Sequence, residues 1–192
     1  MTRSRARSAV APVIALTILV AGCDGDDRPA SRDAIAQPAT TDGAPPVGIP
    51  RRAVTLLLPS GGAEGLKPVE AQIFATASPI DQAKQVVGLL LEAPRIDGHV
   101  APFPVGTTLR AIFIDPRGTA FVSLSREATA RATGGSAWEI LAVNSLVGSL
   151  ARSVPQVKRV QILVEGLEIE TLAGHLDLRR PVTFDASLVL SK

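Results

Sequence analysis

The side chains able to do chemistry in this chain are few. Its 192 residues hold eighteen carboxylates, two histidines, one cysteine and no tyrosine. A single cysteine, Cys23, excludes an intrachain disulfide and every zinc arrangement built on several thiolates. His99 and His175 are too few for a His-rich metal site, and no base is spaced credibly for a Ser-His-Asp triad. No serine sits in a Gly-x-Ser-x-Gly elbow. One pairing has ligand character: His175 and Asp177, in Gly174-His175-Leu176-Asp177, would share a face if the segment were a strand. A metal there needs a third ligand, and choosing Glu165 or Glu170 is a guess. Glu165, Glu168 and Glu170 lie near one turn and read as a solvated edge. These residues point to no metal and no cofactor.

Gly134-Gly135 before a helix could offer backbone N–H groups to an anion, but no phosphate-loop Lys or Arg accompanies it, so it reads as a helix entry. Trp138 is the one tryptophan, placed in a first helical turn, where it covers the core edge or anchors a ligand. His99, in a proline-rich loop, reads as facing solvent. The candidate partner or ligand contacts are therefore Trp138, His99, His175 and Asp177. The base pairs Arg51-Arg52, Lys158-Arg159 and Arg179-Arg180 could meet an anionic glycan, a lipid headgroup or a partner, but read first as solubility. A formal net charge of +2 is too weak to suggest nucleic acid.

The elements that would hold these residues begin after a processed start. Arg3, Arg5 and Arg7 precede a run of twelve uncharged residues, Ala9 to Val20, short of the roughly 20 that span a bilayer. Val20-Ala21-Gly22-Cys23 follows. The arrangement reads as an export signal. It also resembles the bacterial lipobox, which implies cleavage before Cys23, a diacylglycerol on its thiol and acylation of the new amine. Residues 1–22 are then a lipoprotein signal peptide. Residues 23–50 are the lipidated cysteine and a disordered tether with five Asp, five Pro and no apolar period. As a flexible coil, the tether reaches roughly 30 Å.

Residues 51–192 carry the folded pattern. Val54–Leu58 and Val69–Ala75 read as strands, the second with Glu70 and Gln72 outward. Ser78-Pro79-Ile80-Asp81 reads as a helix start, with Ser78 capping. Leu109–Ile114 and Thr119–Leu124 flank Asp115-Pro116-Arg117-Gly118 as a hairpin. Ser125–Thr133 reads as a helical turn. A second long helix opens at Gly134-Gly135, with Ser136 and Glu139 at capping-box spacing. Val157–Val164 reads as a strand before a Glu165-Gly166 turn, and residues 181–190 as a last strand. The class is α+β: a mixed, mostly antiparallel sheet with two main helices packed on one face.

The order of these pieces resembles the GerMN domain of sporulation and spore-germination lipoproteins. The resemblance rests on Val54–Leu58, Leu89-Leu90-Leu91-Glu92-Ala93-Pro94, Pro104–Leu109 and Gly118–Ser125. It continues through Asn144-Ser145-Leu146, Val157–Gly166 and Leu172–Asp177. Ser123 stands where the family often has Asp, and the opening strand lacks the family's usual aromatic. The resemblance implies a noncatalytic module facing the cell envelope, and no catalytic residue.

The function expected is that of an exported lipoprotein, anchored by lipid on Cys23 to a membrane of the cell envelope, inner or outer, on the outer side of the cytoplasmic membrane. Its domain would bind or scaffold an envelope protein or a second copy, with peptidoglycan also open as a partner. The alternative is a cell-wall hydrolase or glycan-binding sensor using the His175/Asp177 region. Contact is expected at a sheet edge, with Val54–Leu58 and Val182–Leu190 as the candidates.

Overall fold

The computed structural model describes residues 48–62, 64–93, 100–130 and 135–190. Cys23, the signal peptide, most of the tether, Pro94 and His99 lie outside them. Strands β1 (Arg51–Pro59) and β2 (Leu66–Phe74) pair antiparallel, with Val54 opposite Ala71 and Leu58 opposite Lys67. Glu70 and Gln72 are exposed on β2, as the alternation requires.

Helix α1 (Pro79–Leu91) starts where its residues dictate. Ser78 Oγ accepts the Asp81 N–H at 3.2 Å, and Pro79 fills the first turn, where no N–H is missed. Asp81 lies 3.6 Å from Lys84. Ala83, Val86, Val87 and Leu90 form the buried stripe.

Strands β3 (Leu109–Ile114) and β4 (Thr119–Leu124) form the hairpin, bulged between Leu109 and Ala111. Asp115 Oδ1 accepts the N–H groups of Arg117 and Thr119, and Gly118 closes the turn at φ 87°. A short 3-10 turn over Arg126–Thr129 leads toward helix α2 (Gly135–Ser153), which returns the chain to β5 (Arg159–Val164) parallel to β4. That crossover is what a parallel pair demands. The short β6 (Leu167–Glu168) folds back on β5 through Glu165 and Gly166, at φ 49° and 81°. Both central residues are left-handed, as in a two-residue hairpin turn that follows strand twist.

The class is α+β with mixed pairing and two main helices, and the strands divide between two sheets: β1-β2, and β3-β4-β5-β6. The reason is α2. Every residue from Leu141 to Leu150 is buried, so this helix has no solvent face over its middle turns. It packs on β1 closely enough that a Cβ on Gly148 would come within 2.5 Å of Leu57 Cδ1 and Phe184 Cε2.

The same contact closes the β1 edge that the sequence offers to a partner. Ser149 Oγ accepts the Leu57 N–H at 2.8 Å, Ser145 Oγ donates to the Leu57 carbonyl, and Ser153 Oγ donates to that of Thr55 at 3.3 Å. Serines spaced four apart on one helix thus do the work of a neighbouring strand. Strand addition at Leu57 is excluded by bonds already made.

The expected strand over 181–190 does not form. Val182 and Val189 make isolated bridges to Val160 and Leu66, and Ala186–Leu188 is a 3-10 turn. Pro181 lacks a ladder N–H, and Asp185 Oδ1 takes the Ser187 N–H to start the turn. No helix among the described residues is long and apolar enough to cross a membrane.

Candidate functional site

The most constrained polar group faces a loop that the sequence leaves unexplained. Glu139 lies in the second turn of α2 at 1% exposure. Its Oε1 accepts the N–H groups of Leu172 and Ala173 at 2.8 and 3.0 Å, and Oε2 that of His175 at 2.8 Å. The capping box of Ser136 and Glu139 is therefore not formed. The helix starts at Gly135, so Ser136 lies within it, and the Glu139 carboxylate serves residues 33–36 positions away. Burial pushes the Glu139 carboxyl upward, but the N–H groups of Ala173, His175 and Leu172 outweigh it and hold the group below its ordinary value.

His175 and Asp177 do not share a strand face. The His175 ring is half exposed, with Nδ1 3.3 Å from Glu139 Oε2. Asp177 is exposed and turns to Arg179, whose Nε and Nη2 each donate at 2.9 Å. The Arg179 side chain, with its N–H, lowers the Asp177 carboxyl to about 2. Glu165 accepts from Arg110 Nη2 at 3.3 Å and from the Arg126 N–H at 2.9 Å. Glu168 and Glu170 are exposed. Among the described residues, no three His, Cys, Asp or Glu side chains gather where they could hold a metal ion.

Trp138, half buried, walls a small apolar cleft with Pro102, Phe103, Ala142, Leu172 and Ala173. The enclosed space is ≈ 10 Å³, about one water. Leu172 and Ala173 are also the residues whose N–H groups Glu139 holds, so the carboxylate fixes one wall of the cleft. Val105, in the adjoining loop, is 89% exposed.

Residues 53–170 match the family model Germane, described as sporulation and spore germination. The chain belongs to the Germane family. Among curated proteins none matches it. Solved structures share the fold of this Germane domain. The first GerMN domain of the sporulation protein GerM from Bacillus subtilis aligns at TM-score 0.52 and 19% identity, over 71% of this chain and 98% of that one. The tandem GerMN domains of the same protein align at 0.52 and 19%, over 70% of this chain and 46% of theirs. A Clostridium perfringens protein provisionally described as a lipoprotein aligns at 0.50 and 18%, over 69% and 87%. At such identities the likeness is one of fold. In the Germane domain, Ser123 is buried and its Oγ accepts the Gly166 N–H at 2.9 Å, tying β4 to the β5–β6 turn. The loop clasped by Glu139 lies past the end of the family match.

Proposed function

We propose that this protein is a cell-envelope lipoprotein, anchored through Cys23, whose Germane domain binds or scaffolds another envelope component and performs no catalysis. The observation that carries the binding reading is where the acids direct their bonds. Glu139 clasps the 172–175 backbone, Asp177 is taken by Arg179, and Glu165 holds Arg110 and the Arg126 amide. Groups spent on the fold in this way are poorly placed to exchange protons with a substrate. Anchoring is supported by the Val20–Cys23 sequence and by the uniqueness of the cysteine, two acyl chains being enough for stable attachment.

The surface best suited to contact is the loop around Val105 beside Trp138, where apolar side chains and a half-buried indole meet at the surface. A photo-crosslinking residue at Val105, used in intact cells, is expected to capture one discrete envelope component. The same residue at Lys67, on β2, is expected to capture none. Equal capture at both positions would contradict this reading.

A further inference from the structure

The strands place six cations of this domain at one end. β1 runs antiparallel to α2, because Thr55 meets Ser153 while Leu57 meets Ser149 and Ser145. β5 starts after a five-residue link from the end of α2 and lies parallel to β4, Thr119 opposite Arg159. The starts of β1, β4 and β5 therefore share an end, joined by bonds from Lys158 N and Arg159 N to the Gly118 carbonyl and from Arg52 Nη2 to that of Ser153. Arg51 and Arg52 open β1, Arg117 precedes β4, and Lys158 and Arg159 open β5. Arg180 sits two residues before the Val182 bridge to Val160.

Among the described residues, none of these six forms an ion pair. The acids nearby are engaged or few. Asp115 takes two turn amides, and Asp177 takes Arg179. Asp81, next to the Gln82 that accepts from Arg52, pairs with Lys84. Glu170 lies near Arg179, and Glu92 flanks a surface cleft with Arg51. Where β1, β4 and β5 finish, Glu64, Glu127, Glu165 and Glu168 stand against Lys67, Arg110 and Arg126. The charge is thus polarised along the strands, and the tether enters β1 at Arg51, on the cationic end.

Resting on the anchored reading above, we propose that this end docks on the anionic lipid headgroups of the membrane that holds the protein. A surface of anionic lipid attracts Lys and Arg strongly only within a Debye length, about 8 Å in physiological salt. Attachment through Cys23 makes the encounter intramolecular, so weak attraction suffices. Docking by this end leaves the Val105 loop free.

The test uses the whole chain carrying Cys23→Ser, so that no lipid contributes. Binding is compared between vesicles of phosphatidylcholine alone and vesicles with about one third phosphatidylglycerol. Each exposed cation near such a surface contributes roughly fivefold. The triple variant Arg117→Gln, Lys158→Gln, Arg180→Gln should therefore lose about a hundredfold of the preference for anionic vesicles. The triple Lys67→Gln, Arg110→Gln, Arg126→Gln, at the other end, should retain it. Leader and tether are identical in all three chains, and thermal melts verify folding. A cationic-end variant that keeps the parent's preference, or an opposite-end variant that loses as much, overturns the proposal. Since no acyl chain is involved, failure of lipidation at Cys23 would be read separately.

Discussion

The Glu139 carboxylate lies 3.3 Å from His175 Nδ1 and accepts that residue's backbone N–H at 2.8 Å. The relationship runs mainly through the backbone, because the ring is half exposed while the amide is held by a fully buried acceptor. Glu139→Gln keeps the volume but removes an acceptor from a buried site with three donors. It should lower stability by roughly 1–3 kcal/mol in urea unfolding at neutral pH. His175→Ala keeps the amide and should cost under about 1 kcal/mol. Equal losses from the two would show that the ring, not the backbone, is what Glu139 holds.

The same carboxylate sets an acid limit. Its native value lies below the ordinary 4.5, so the unfolded chain binds this proton first as pH falls. The contribution is complete above about 4.5 and is lost as pH drops through the lower native value. Unfolding midpoints for parent and Glu139→Gln should converge as pH is lowered from neutral to about 3. A constant gap would contradict the assignment.

Ser149→Ala leaves the Leu57 N–H buried without its acceptor and should cost roughly 1–3 kcal/mol. Ser149→Thr, which keeps a hydroxyl, should recover part of the loss. An unchanged urea midpoint in the alanine variant would mean that β1 finds its bond elsewhere.

Gly148→Ala forces a methyl against Leu57 and Phe184 where no space exists. Overpacking of this kind costs about 1–3 kcal/mol, read as a fall in Tm. The outcome separates a tight α2–β1 contact from a loose one.

Replacing His175 and Asp177 together with Asn should leave folding and partner capture intact, since neither side chain serves a proton in the proposed role. Complete loss of function with normal abundance, or stoichiometric zinc in the purified protein, would revive the chemical alternative.

The local features were legible because adjacent residues determine them. Ser78-Pro79 starts α1, Asp115–Gly118 closes the β3–β4 hairpin, and Glu165-Gly166 turns β5 into β6. Glu139 misleads because a glutamate three residues from a serine looks like a cap, while its partners are the N–H groups of Leu172, Ala173 and His175. Ser145, Ser149 and Ser153 gave a usable signal, a four-residue polar spacing on an otherwise apolar helix. It points to a buried backbone edge only once β1 is known to lie alongside. The valines of the terminal segment suggest a strand, but Pro181 and Asp185 decide otherwise.

The central claim is an anchored envelope module, and the state of Cys23 in the cell tests it most directly. Mass spectrometry of the N-terminal peptide from the membrane-extracted protein should find a chain beginning at Cys23, with a diacylglycerol on sulfur. A chain that retains residues 1–22 with a free thiol would contradict the account.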